Sequence, residues 1–159
     1  MTYDSQSGRE RTLARILKRL EESPVRRPYC IGEAEELKAI RFDPTPQDEV
    51  GYLAIIADDW VDLQAEWAPA SDSGDLPPQK IAWQSSPPCD SFRNPAAIEE
   101  IVDLIVTVAT HPTRFRQEKG WILWSFLLEC RDGAMWRRLG AVHHLKWAFR
   151  AYGMVPSGG

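Results

Sequence analysis

Cysteine is scarce in this chain: Cys30, Cys89 and Cys130 are the three among 159 residues, odd in number and far apart. Neither a disulfide framework nor a paired Cys-x-x-Cys zinc site can be written from them, which suits a reducing compartment. Long apolar runs are missing as well. The stretches around Leu104–Ala109 and Ile122–Leu128, the second broken by Ser125, fall far short of the roughly 20 residues needed to span a bilayer. The opening Met1-Thr2-Tyr3-Asp4, followed by Arg9 and Arg11, holds no apolar signal core. Phosphate-binding GxxxxGK[ST], dinucleotide GxGxxG and HExxH patterns are all absent. His143 and His144 are adjacent, so on a helix they diverge by about 100° and do not share one metal. These absences point to a cytoplasmic, non-enzymatic protein with no cofactor, no metal and no membrane segment.

What is present is an ordinary globular balance: 43% hydrophobic and 26% charged residues, with 12 prolines and 10 glycines. A chain of this length buries roughly 70% of the surface its unfolded form exposes, enough for one core without cross-links. Charge is divided unevenly behind a net value of −4. Residues 1–42 carry nine basic and seven acidic side chains, residues 43–110 two and thirteen, and residues 111–159 eight and three. A cationic C-terminal part beside an acidic middle reads either as a nucleic-acid surface next to a partner-facing one, or as two segments that attract each other within one fold.

The periodicity predicts an all-α protein of five to six helices with a long Pro/Ser-rich connection. Leu13, Ile16, Leu17 and Leu20 recur at helical spacing from Gly8 to Glu22, ahead of Ser23-Pro24. Glu33–Ile40 reads as a second short helix between breakers. Over Pro46–Trp67, the residues Leu53, Ile56, Trp60, Leu63 and Trp67 step by three and four, one stripe of a helix. Residues 68–95 hold too many prolines for a helix and leave room for one short strand at Lys80–Gln84. Asn94-Pro95 is a helix start, with Ile98, Ile101, Val102, Ile105 and Val108 as its buried stripe up to Thr110. Thr113 then caps a helix that is apolar nearly all round, Arg131-Asp132-Gly133 turns, and residues 134–152 form a last helical region divided by Gly140. The expected organisation is an N-terminal helical part (1–68), a connection (69–94) and a C-terminal helical part (95–159).

On the last helix, Val142, Leu145, Phe149 and Tyr152 make a packing face, and His143, Trp147 and Arg150, flanked by His144 and Lys146, turn outward. Arg and Lys neutralise phosphates or read guanine edges; His and Trp add hydrogen bonds and stacking. Met135-Trp136-Arg137-Arg138-Leu139-Gly140, then Leu145, then Arg150-Ala151-Tyr152-Gly153-Met154, resembles the C-terminal helix-turn-helix of the Fis family and related bacterial activators. The resemblance covers about 20 residues. It implies a turn at Leu139-Gly140, anchoring by Leu145 and Phe149, and DNA contact by Arg137, Arg138, His143, His144, Lys146, Trp147 and Arg150. The interval from Gly140 to Tyr152 is one residue shorter than the family pattern, and Ala141-Val142-His143-His144 stands where the recognition helix usually begins with polar residues.

Two functions follow as expectations. The first is a small regulatory or mobile-element DNA-binding protein that holds duplex DNA through its basic C-terminal helix. The second is an acidic interaction module, an adaptor, inhibitor or nucleic-acid mimic, that offers Asp58, Asp59, Asp62 and Glu66 from the helix around residues 48–66 to a basic protein partner. Seven tryptophans suit an interface, and binding through one helix-turn-helix ordinarily needs a homodimer.

Overall fold

The computed structural model describes residues 7–68, 81–85 and 95–145. Ser7 opens helix α1 (Gly8–Glu21), its Oγ accepting from the Glu10 N–H at 3.4 Å. A residue from a distant turn completes the cap: Asp58 Oδ1 accepts from the Arg9 N–H at 3.0 Å, which suits the positive end of the helix dipole. Backbone approaches closely here, and a Cβ on Gly8 would stand 2.3 Å from the Asp58 carbonyl oxygen. Ile16 and Leu20 are buried, so the expected helix is present and its apolar stripe faces the core.

The chain then runs as an antiparallel meander, β1 (Tyr29–Ala34), β2 (Leu37–Phe42), β3 (Gly51–Ile56), β4 (Val61–Trp67) and β5 (Ile81–Gln84), neighbouring in space in sequence order. This corrects the expected helices over Glu33–Ile40 and Pro46–Trp67. Tyr52, Ala54 and Ile56 are buried and alternate with half-buried Leu53 and Ile55, while Val61, Leu63 and Ala65 repeat at the same period of two. The three-and-four spacing of Leu53, Ile56, Trp60, Leu63 and Trp67 crosses a hairpin turn, in which the Ala57 N–H donates to the Trp60 carbonyl at 3.0 Å. Branched and aromatic residues on both sides of that turn favour strand. The short strand expected at Lys80–Gln84 is β5.

Helix α2 (Pro95–Thr110) matches expectation, with Val102, Ile105, Val108 and Ala109 buried. After it comes a second meander, β6 (Thr113–Lys119), β7 (Leu123–Asp132) and β8 (Met135–Leu145), in which β7 is central. The all-α expectation is thereby overturned: the described residues hold eight strands and two helices, and more of them lie in strand than in helix. The run from Trp121 to Leu128 reads as a central helix in the sequence because it is apolar on all sides. Instead Trp121 and Ile122 form an exposed turn, and Leu123 opens a strand that is buried on both faces along Phe126–Cys130, a pattern that hydrophobic periodicity does not separate from a buried helix. The helix-turn-helix is corrected in the same way. Met135–Gly140 lies in strand β8, where Leu139 is a bulge residue between the pairs Glu129↔Arg138 and Leu128↔Gly140. The turn expected at Arg131-Asp132-Gly133 does join β7 to β8, with Gly133 at φ +62°.

Both helices and both sheets contribute to one cluster of buried apolar side chains. The helices are tied by Arg15 and Arg19 of α1 to Glu99 and Asp103 of α2. Trp67, on the core face of β4, stacks on Phe115 at 5.8 Å and meets Phe126 edge-on at 6.2 Å, so the second sheet closes against the first through aromatic rings. A further close approach joins them: Gly140 of β8 lies against Trp83 of β5, where a Cβ would be 2.4 Å from the indole nitrogen. Among the described residues no helix is long and apolar enough to cross a membrane.

Candidate nucleic-acid interface

Pairing register and the alternation of strands fix which side chains of β6–β8 share a face. Thr113, Phe115, Phe126, Leu128 and Cys130 turn to the core and are buried. The opposite face is built in rows: Arg131 with Trp136; Arg114, Glu129 and Arg138; Arg116, Leu127 and Ala141; Glu118, Ser125 and His143. Arginines, an indole and an imidazole from three strands are thus gathered on one side of one sheet.

Glu129 organises this face. It is buried, and it accepts from Arg114 Nε at 2.9 Å and from Arg116 Nε at 3.0 Å. Burial alone would push its carboxyl up, but the two arginine hydrogen bonds and charges outweigh that and hold it below the ordinary carboxylate value. Arg116 also donates to Glu118 Oε1 at 2.8 Å, and these carboxylates raise its own value. The guanidinium of Arg114 lies over the Trp136 ring, 3.9 Å from its centroid. That is cation–π distance, and it leaves the outer plane of the guanidinium facing away from the ring. Arg114 and Arg116 remain 42% exposed, and Arg131, Arg137 and Arg138 are exposed with no carboxylate partner among the described residues.

Among the described residues, the surplus of positive charge on this sheet is not cancelled from elsewhere. The basic residues of α1 do pair with the acidic middle of the chain, through Arg9 with Asp58, and Arg15 and Arg19 with Glu99 and Asp103. The arginines of β6 instead pair with carboxylates of their own sheet, and two of them share one.

Ser125 and His143 form an exposed hydrogen-bonded pair, Oγ to Nδ1 at 2.8 Å. The row order sets serine between Glu118 and the imidazole. Among the described residues no carboxylate hydrogen-bonds His143. No three His, Cys, Asp or Glu side chains converge as a metal site among the described residues.

Of the sequence-expected DNA contacts, Arg138 and His143 lie on this face, and Arg137 lies on β8 beside Cys130, its Nη2 donating weakly to Sγ at 3.9 Å. His144 is in the β8 backbone, and Lys146, Trp147 and Arg150 lie outside the described residues. Sequence reasoning missed Arg114, Arg116 and Glu129. The alternation Arg114-Phe115-Arg116 was the available signal, since a basic-aromatic-basic triplet at a period of two marks a strand with one cationic face.

The four acidic residues expected on a partner-binding helix do not form one surface. Asp58 is exposed but caps α1, Asp59 sits half-buried in the β3–β4 turn, and Glu66 is exposed near the end of β4. Asp62 is buried, accepting from Gln84 Nε2 at 2.5 Å, Ser85 Oγ at 3.1 Å and Gln64 Nε2 at 3.4 Å. A groove of about 740 Å³ opens over the outer side of β2–β4, lined in part by Arg41, Asp43, Glu49, Leu53, Gln64 and Glu66. Arg41 there is paired with Asp43 at 3.1 Å, so carboxylates set the sign and the groove does not favour phosphate.

No family model, curated protein or solved structure matches the chain.

Proposed function

We infer that the chain is a nucleic-acid-binding protein that works through the arginine- and tryptophan-bearing face of β6–β8. One observation carries the reading: the Arg114–Trp136 stack, set beside Arg116 and Arg138 and oriented by the buried Glu129. Guanidinium groups neutralise phosphates, and a guanidinium already spread over an indole presents a flat cationic plane without further ordering cost. The acidic-module reading has no comparable support, because its carboxylates are dispersed or consumed within the fold.

Fluorescence anisotropy with labelled oligonucleotides of about 12 residues, titrated between about 50 and 200 mM salt, tests this directly. Affinity is expected to fall steeply with salt. Replacing Arg114, Arg116 and Arg138 by Ala is expected to flatten the log–log salt slope by about one for each phosphate no longer neutralised. A protein that binds no oligonucleotide at the lowest salt would end the reading.

A further inference from the structure

The hairpin between β6 and β7 ends in the most exposed large hydrophobic group of the described residues. Trp121 is 92% exposed and its neighbour Ile122 is 55% exposed. The turn is held closed beneath them, with the Gly120 N–H donating to the Leu123 carbonyl at 2.9 Å. Glycine is needed at that position, because a Cβ would meet the same oxygen at 2.7 Å. A fixed turn that lifts an indole into solvent has no role in the core. The strand leading to it carries Arg114 and Arg116 on the basic face, so a partner that reached the indole along that face would pass cationic side chains on the way.

The two indoles stand toward opposite ends of β7. Trp136 lies opposite Arg131, and the tip begins beyond Leu123, eight residues further along β7, or about 26 Å at the rise of a strand. The Arg114–Arg138 row, the Arg116 row and the Ser125–His143 row lie between them in that order. A nucleic-acid strand carries a phosphate every ~3.4 Å when stacked and fewer when stretched, so the span corresponds to about four to eight nucleotides.

We propose that this face takes a single, unpaired nucleic-acid strand laid along β7, with one base stacked on the Arg114–Trp136 platform and another on Trp121. The proposal rests on the nucleic-acid reading above and specifies its ligand. Two physical features favour an unpaired strand. The major groove of a duplex admits a helix or a two-stranded ribbon, whereas these groups are spread over three strands. In a duplex, moreover, the faces of the bases are already stacked on one another; only an unpaired base offers its plane to an indole or a guanidinium.

The experiment compares a labelled mixed-sequence single strand of about 12 nucleotides with its blunt duplex, for the wild-type chain and for Trp121→Ala, Trp121→Phe and Arg114→Ala/Arg116→Ala. Anionic phosphatidylserine vesicles serve as a further probe. The wild-type chain is expected to bind the single strand at least about tenfold more tightly than the duplex. Trp121→Ala is expected to weaken single-strand binding about tenfold with the salt slope unchanged, and Trp121→Phe to restore most of it, since stacking is not a counterion effect. The paired arginine variant is expected to flatten the slope. Because Trp121 is almost wholly exposed, its variants should keep the wild-type thermal midpoint, which confirms that they are folded. Equal or tighter duplex binding overturns the proposal, as does unchanged single-strand affinity in Trp121→Ala. Loss of vesicle binding in that variant with oligonucleotide affinity intact overturns it in favour of a lipid-facing tip. If the wild-type chain binds neither oligonucleotide, it is the nucleic-acid reading itself that fails.

Discussion

Glu129 shows how one buried carboxylate can shape a surface it barely touches. It sits beneath the row that contains Arg114 and Arg138 and accepts from both β6 arginines, so their guanidinium planes are aimed before any ligand arrives. Its carboxyl is held below the ordinary value in the folded chain by those hydrogen bonds, against the upward push of burial. A carboxyl depressed on folding contributes stability that is fully present above its unfolded value, about 4.3, and that is lost as pH falls through the lower folded value. Urea unfolding followed from pH 7 down to about 3 should therefore show an acid limb in the wild-type chain. In Glu129→Gln the limb should be shallower, and at neutral pH the chain should be less stable by about 2 kcal/mol, the scale of hydrogen bonds to a charged group. Equal acid limbs in the two proteins would show that Glu129 is not held by the arginines in solution.

The β1–β2 hairpin turns on Glu35 and Glu36, both at positive φ, +49° and +69°. Two left-handed residues between Ala34 and Leu37 make the tight turn whose twist matches paired strands, but glutamate is a poor occupant of that conformation. Arg9 of α1 donates through Nη1 to the Glu36 carbonyl, a backbone contact that survives a change of side chain. Replacing Glu35-Glu36 by Asn-Gly should raise stability by about 1 kcal/mol, read as a higher urea midpoint at unchanged m. The same turn explains part of what the sequence concealed. The two helices were legible because their signals are local: the Ser23-Pro24 stop of the first, the Asn94-Pro95 start of the second and an apolar stripe in each that is not interrupted. Apart from β5, the strands were not, because glutamates replace the glycine or asparagine that announces a hairpin, and Leu53, Ile56, Trp60, Leu63 and Trp67 mimic a helical stripe by chance across a turn. At the candidate site, Arg138 and His143 were visible as basic and aromatic residues near the C-terminus. The Arg114–Trp136 stack was not, since it joins residues of different strands across β7 and depends on a register no local pattern records.

Across the whole molecule, the two sheets meet at a buried polar cluster beside the aromatic contact of Trp67. Arg27, 5% exposed, pairs with Asp48, 7% exposed, and donates through Nη1 to the Val50 carbonyl at 2.7 Å. Asp48, from the loop before β3, also accepts from the N–H of Thr113 at 3.0 Å and from its Oγ1 at 2.8 Å, where β6 begins. Tyr52 of β3 donates to Thr113 Oγ1 at 2.7 Å; burial, with the Asp48 charge adding to it, pushes the phenol well above its ordinary value despite that hydrogen bond. Because these groups satisfy one another, the cluster specifies how the second sheet seats on the first, and the cost of disturbing it depends on what is left behind. Arg27→Met strands a buried carboxylate and should lose about 3–5 kcal/mol. Adding Asp48→Asn removes the stranded charge while keeping a carbonyl oxygen for the Thr113 N–H, so the double variant should recover more than about 1 kcal/mol relative to the single one. Chemical denaturation of the four proteins of that cycle measures the coupling. Strict additivity would mean that the ion pair is solvated in solution and that it does not set how the sheets meet; recovery would mean that the charged cluster fixes their register, and with it the position of the β6 arginines that follow Thr113.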